Sequence, residues 1–125
     1  MRQSISESEW AVMELLWGRP GGALTMAEIV AGLDGRHWQY TTIRTMVTRL
    51  ADKKFVRAER DGKNFRYSAA VPADACRLEE AESFLDRVYK GSVSAMVSGL
   101  SKQGRVDKAE LASLKAMIEA MEDDG

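Results

Sequence analysis

The chain is poor in the residue types that cross-link, ligate or attack. Of its 125 residues one is cysteine, one is histidine and two are proline. A lone cysteine, Cys76, excludes an internal disulfide framework. With His37 as the single histidine, no metal site with two soft ligands forms within one chain. No stretch approaches the ~18 consecutive apolar residues of a membrane span. Met1-Arg2-Gln3-Ser4-Ile5-Ser6 lacks the apolar core of a signal peptide, so a cytoplasmic protein away from membranes is expected. There is no glycine-rich phosphate loop, nucleophile elbow or Cys/His dyad. Glu79, Glu80 and Glu82 open a helical stretch, where the macrodipole favours them without any catalytic role. The expectation is a protein that is not an enzyme and needs no cofactor. A Cys76 bridge between two copies is the one redox device open to it; filling a helix interface is the plainer role for that side chain.

What is present is charge, unevenly placed. At 45% hydrophobic and 30% charged, the chain has an ordinary globular composition, enough for one domain or one small domain with an appendage. Residues 1–71 hold 11 basic and 8 acidic groups, residues 72–125 hold 7 and 11, and the pI of 5.9 averages them away. Inside the basic half, residues 36–66 carry nine Lys/Arg against three Asp/Glu. A local excess of that size predicts a polyanionic partner, double-stranded DNA foremost.

The order of elements sharpens this. Ser6 with Glu9, and Thr25 with Glu28, are capping boxes opening two helices. Trp10, Met13, Leu16 and Trp17 stripe the first, which Gly18-Arg19-Pro20-Gly21-Gly22 ends. Met26, Ile29, Val30 and Leu33 stripe the second, closed by Asp34-Gly35. A third helix from Tyr40 to about Lys54 gathers Ile43, Met46, Val47 and Leu50 on one face and turns Thr41, Thr42, Arg44, Thr45, Thr48 and Arg49 outward. Threonine is a poor choice for a merely solvated helix face, because β-branching costs χ1 freedom. Residues 55–60 and 63–67 then alternate at period two around Asp61-Gly62, read as a two-residue hairpin turn. A helix followed by a basic hairpin predicts a winged helix-turn-helix over residues 1–71. Tyr40, Thr41, Thr42, Arg44, Thr45, Thr48 and Arg49 are its candidate recognition surface, and Lys53, Lys54, Arg57, Arg60, Lys63 and Arg66 its wing and flank.

Val71-Pro72 marks the expected boundary to a helical domain over residues 72–125. Leu78, Phe84, Leu85 and Val88, then Met96 and Val97, then Leu111, Leu114, Ile118 and Met121 recur at helical spacing, the last set behind a third box at Asp107 and Glu110. Fifty-four residues with so few apolar groups form a marginal core alone, so these stripes are expected to pair with a second copy. The fold class is mainly α with a small β-hairpin. Two rivals to a DNA-binding repressor are a winged-helix protein–protein interaction module and a small-molecule-responsive dimeric regulator. The first should present apolar anchors on the third helix, which this chain does not, and the second has no convergent polar pocket visible in the sequence.

Four segments in order resemble penicillinase repressors of the BlaI/MecI/CopY type: Ser6-Glu7-Ser8-Glu9-Trp10-Ala11-Val12-Met13-Glu14-Leu15-Leu16-Trp17, Leu24-Thr25-Met26-Ala27-Glu28-Ile29, Thr42-Ile43-Arg44-Thr45 leading to Arg49-Leu50, and Phe84-Leu85-Asp86-Arg87-Val88-Tyr89-Lys90-Gly91-Ser92. The resemblance covers about residues 5 to 121. It implies a homodimeric bacterial repressor on an inverted-repeat operator with TACA/TGTA-like half-sites, with Thr42, Thr45 and Arg49 matching family recognition residues and Arg44 standing where relatives vary. It implies release by a signalling protease or other inducer. Gly99-Leu100 stands where antibiotic-responsive members are cut at an Asn-Phe bond, and the chain ends Ala120-Met121-Glu122-Asp123-Asp124-Gly125 where copper-responsive members carry paired cysteines. The inducing signal and the regulated genes stay open.

Overall fold

The structure is a computed structural model describing residues 4–19 and 21–124. The expectations that fell on Met1, Arg2, Gln3, Pro20 and Gly125 lie outside these residues. The elements are α1 (Glu7–Trp17), β1 (Leu24–Thr25), α2 (Met26–Gly32), a 3-10 turn (Asp34–Arg36), α3 (Tyr40–Asp52), β2 (Val56–Asp61), β3 (Asn64–Ala69), α4 (Ala73–Tyr89), α5 (Val93–Lys102) and α6 (Lys108–Asp124). This is a winged helix-turn-helix followed by three helices. The chain divides into two compact units, Met1–Leu78 and Glu79–Gly125, a division six residues beyond Pro72 and inside α4.

Both expected capping boxes close. Ser6 Oγ accepts from the Glu9 amide at 3.2 Å while Glu9 Oε1 accepts from the Ser6 amide at 2.8 Å. Thr25 and Glu28 repeat the pattern at 3.2 and 2.9 Å. At α6 one half forms, Asp107 Oδ1 accepting from the Glu110 amide at 2.8 Å. Each satisfies amides that the first turn of a helix leaves without partners.

The core of the first unit holds Ile5, Ala11, Val12, Met13 and Leu16, then Leu24, Ile29 and Leu33, then Ile43, Met46, Val47, Leu50, Val56 and Cys76. In α1 the buried stripe is rotated from the expected one: Val12 and Met13 are fully buried, whereas Trp10 and Trp17 are half-buried and lie against each other at a tilt of 57° with centroids 5.3 Å apart. Trp17 also donates from Nε1 to the Val71 carbonyl at 3.0 Å, so its indole sits where its polar edge finds a partner. In α2 Ile29 is buried, as is Leu33 capping its carboxyl end, and Met26 and Val30 lie half-buried beside them. Gly32 allows α2 to press on α1, because a Cβ there would come within 2.7 Å of the Leu15 methyls.

The sheet has three antiparallel strands in the order β1-β3-β2, one more than the hairpin expected. Leu24 pairs with Tyr67 and Thr25 with Arg66 before the chain enters α2, so β1 is too short to leave a period-two signature. The hairpin turn is also displaced by one residue from the expected one, which shifts every cross-strand partner by two. Asp61 pairs with Asn64, so the two-residue loop is Gly62-Lys63, with Gly62 at φ 65° in the first loop position. A turn centred on Asp61-Gly62 would have set Arg57 opposite Arg66 and Arg60 opposite Lys63. The observed register sets Glu59 opposite Arg66 and Arg60 opposite Phe65, replacing two repulsive cross-strand pairs with one attractive pair and one arginine–aromatic pair.

Candidate nucleic-acid interface

α3 separates its faces cleanly. Ile43, Met46, Val47 and Leu50 are buried, and Thr41, Thr42, Arg44, Thr45, Thr48 and Arg49 are exposed, with Tyr40 half-exposed at the start. The helix ends earlier than the apolar spacing implied, at Asp52, because Lys54 takes a left-handed φ of 75° and turns the chain into β2. Its amino end differs from those of α1, α2 and α5 in that Gln39 caps it without a side-chain hydrogen bond, and, unlike α1 and α2, its first turn holds no acidic residue. Open amides and a positive dipole end therefore lie beside the threonines. Thr45 Oγ1 donates to the Thr41 carbonyl at 2.9 Å, which spends the hydroxyl proton within the helix and leaves the methyl and an oxygen lone pair for a partner.

The basic residues beyond α3 fall into two states. Lys53, a candidate flank contact, is committed to the fold: its Nζ donates to Glu9 Oε1 at 2.8 Å and to the Ser4 carbonyl at 2.9 Å. Arg66 is committed as well, donating from Nε to Asp61 Oδ2 at 2.7 Å and from NH1 to the Ala23 carbonyl at 3.4 Å. The Asp61 carboxylate, with Glu28 further off, holds the Arg66 guanidinium above its ordinary pKa. Arg60 donates from Nε to the Gly62 carbonyl at 3.2 Å and lies 5.9 Å from the Phe65 ring centroid, braced beside the turn. Arg44, Arg49, Lys54, Arg57 and Lys63 are exposed and make no side-chain hydrogen bond or ion pair among the described residues.

The register also sorts the wing by face. Val56, Ala58 and Arg60 share a face with Phe65, Tyr67 and Ala69, and Val56 and Tyr67 carry that face into the core. Arg57, Glu59 and Asp61 share the other face with Arg66 and Ser68. That outer face borders an open hollow of about 890 Å³, edged by Trp17, Arg19, Arg57, Arg66, Ser68 and Val71. The sequence showed no convergent pocket because its walls come from the α1–β1 loop and the wing, some 40 residues apart in the chain. Phe65, 44% exposed on the wing, is a further residue that charge-based reasoning missed.

A buried apolar helix face, an exposed threonine–arginine face and a basic hairpin beside it now meet a sequence match. The family model of the penicillinase repressor matches residues 5–120. The chain belongs to the penicillinase repressor family. It is 28% identical over 115 residues to the methicillin resistance regulatory protein MecI of Mammaliicoccus sciuri, covering 91% of this chain and 92% of that protein. It is 27% identical over 115 residues to a penicillinase repressor of Staphylococcus aureus, covering 91% and 90%. Among solved structures, the DNA-binding domain of the repressor BlaI superposes with a TM-score of 0.50 at 25% identity, covering 58% of this chain and 90% of that one.

Among the described residues no helix is long and apolar enough to cross a membrane. In the second unit no described residue is buried. Phe84, Val88, Leu111, Ile118 and Met121 are exposed, as is Leu78 just before it; Leu85, Met96, Val97 and Leu114 are half-buried. Val93 and Leu100, which continue the Met96–Val97 stripe of α5, and Met117 of α6 are exposed as well.

Proposed function

We propose that the chain is a homodimeric transcriptional repressor that reads an inverted-repeat operator, with α3 in the major groove and the wing on the flanking backbone. The observation that carries this is α3 itself, whose apolar side is consumed by the core while six threonines and arginines stand outward beside an uncapped amino end. Arg44 and Arg49 grip guanine O6 and N7 or a phosphate, the Thr45 methyl packs on a thymine methyl, and Tyr40, Thr41, Thr42 and Thr48 line the approach. Lys54, Arg57, Lys63 and Arg60 meet phosphates. The relatives speak for repression: one is a penicillinase repressor, and BlaI is a repressor with a DNA-binding domain.

The exposed apolar residues of α4, α5 and α6 are the dimer surface. Leu111, Ile118 and Met121 are each more than half exposed in the single chain, an apolar set of the kind that marks a protein–protein surface. A two-fold dimer then reads half-sites about 10 base pairs apart or a multiple of that. Selection from random duplexes by the full chain should return a two-fold symmetric sequence with TGTA-like arms, and sedimentation should give twice 13.9 kDa at micromolar concentration. A 13.9 kDa species that enriches no sequence overturns the proposal.

The regulator-with-effector reading keeps one supporting observation, the hollow behind the wing. Arg57 there is exposed and without an ion pair among the described residues, beside the apolar edge of Trp17 and Val71. The release signal, protease or other inducer, is the part of the function that genome neighbours would identify first.

A further inference from the structure

Glu9 is the one charged side chain buried among the described residues, 2% exposed. It is more than a cap. Its Oε1 accepts from the Ser6 amide at 2.8 Å, which closes the first turn of α1, and from Lys53 Nζ at 2.8 Å. Lys53 is the residue that caps the carboxyl end of α3, where a cation also favours the helix dipole. Its Nζ also donates to the Ser4 carbonyl at 2.9 Å, which ties in the segment that carries buried Ile5. Directly after Lys53 the chain turns at Lys54 and starts the wing strand at Val56. The Lys54 amide donates to the Ala51 carbonyl and the Phe55 amide to the Leu50 carbonyl, so little slack separates Lys53 from the wing.

Apolar packing under Ile43, Met46, Val47 and Leu50 holds α3 against the core, but it is non-directional and tolerates a helix that slides or rolls. An ion pair between a buried carboxylate and a half-buried ammonium, with two further hydrogen bonds, is directional. It contributes little net stability against an apolar replacement, and its retention is better understood as a choice of one geometry. We propose that Glu9 and Lys53 are positioning residues: the pair fixes the pitch of α3 and the root of the wing together against α1, and Lys53 serves DNA reading through this clamp and not through a phosphate. The inference rests on the DNA-reading function proposed above.

The experiment uses the full chain, the duplex it selects from a random pool, and a scrambled duplex of the same length. The affinity ratio between the two duplexes, and the slope of log K against log[salt], are measured for wild type, Lys53→Met, Lys53→Arg and the double variant Glu9→Gln/Lys53→Met. The double variant leaves no unpaired buried charge, so it recovers thermal stability relative to Lys53→Met. Partial unfolding lowers both affinities alike and leaves their ratio unchanged, whereas a shifted α3 lowers the ratio. The clamp requires the ratio to fall about tenfold, the scale of one lost base contact, in Lys53→Met and in the stable double variant. It also requires the salt slope to stay at the wild-type value, and Lys53→Arg to retain the ratio. A wild-type ratio in the double variant overturns the clamp. So does a slope flattened by about 0.9 in Lys53→Met, which would mean a phosphate contact. A wild-type chain that selects no duplex defeats the DNA reading itself, and the clamp with it.

Discussion

The two units of this chain solve the problem of a small core in opposite ways. Within Met1–Leu78, three short helices and a three-stranded sheet converge on one cluster from Ile5 to Cys76, and the polar remainder of α3 is left free to face a partner. Within Glu79–Gly125 the chain is helical, with Ser92 and Asp107 capping α5 and α6, yet every described residue keeps some exposure. The first unit buries its apolar groups against itself because sheet and helices come at them from several directions. The second has helices alone, and 46 described residues are too few to surround an apolar stripe on all sides. The difference teaches that capping and helical periodicity make helices, while burial makes a self-sufficient fold.

Truncating one leucine in each unit tests this most strongly. Leu50→Ala should cost ~2–5 kcal/mol of unfolding free energy at any protein concentration, because the side chain is fully buried within one chain. Leu111→Ala, at a residue 55% exposed in the single chain, should lower the melting temperature by an amount that depends on protein concentration, as a dimer interface demands. A loss at Leu111 that is the same at every concentration would place that residue in a monomer's core and erase the contrast between the units.

Next in size is the reading face. Arg44→Ala should relax discrimination at particular base positions by ~1–3 kcal/mol, seen as broadened selection from random duplexes. Thr45→Val should keep a thymine preference that Thr45→Ala loses, because the hydroxyl proton is already spent on the Thr41 carbonyl. Smaller again, Lys63→Ala and Arg57→Ala should each flatten the salt slope by about 0.9 with sequence preference kept. A flattened slope for Lys63 alone would assign Arg57 to the hollow on the outer face of the sheet.

The smallest expected effect is with pH. Burial raises the Glu9 pKa, but the hydrogen bond and charge of Lys53 and the Ser6 amide outweigh it, so the carboxyl titrates below its ordinary 4.5. A depressed carboxylate contributes stability that is present above the unfolded pKa and lost as pH falls through the folded one. The stability advantage of wild type over Glu9→Gln should therefore be level above about pH 4.5 and shrink below it, measured by denaturant unfolding. An advantage that grows on acidification would contradict the pairing.

The helices, their caps and the buried face of α3 were legible in the sequence because each depends on residues three or four apart: Ser6 with Glu9, Thr25 with Glu28, and Ile43, Met46, Val47 and Leu50 in one register. The family, too, was readable from ordered local segments, and the match to residues 5–120 bears it out. What the sequence could not decide was pairing across distance. Strand β1 exists because β3 offers Leu24 and Thr25 a partner, and the hairpin loop settled on Gly62-Lys63 because cross-strand charges disfavour the neighbouring register. Lys53 read as one more cation in a basic window, and became a buried carboxylate's partner only when α1 and α3 packed and brought Glu9 to 2.8 Å across 44 residues of chain. Local spacing specifies which face a side chain takes; only the packed structure decides whether a charge on that face is already spent.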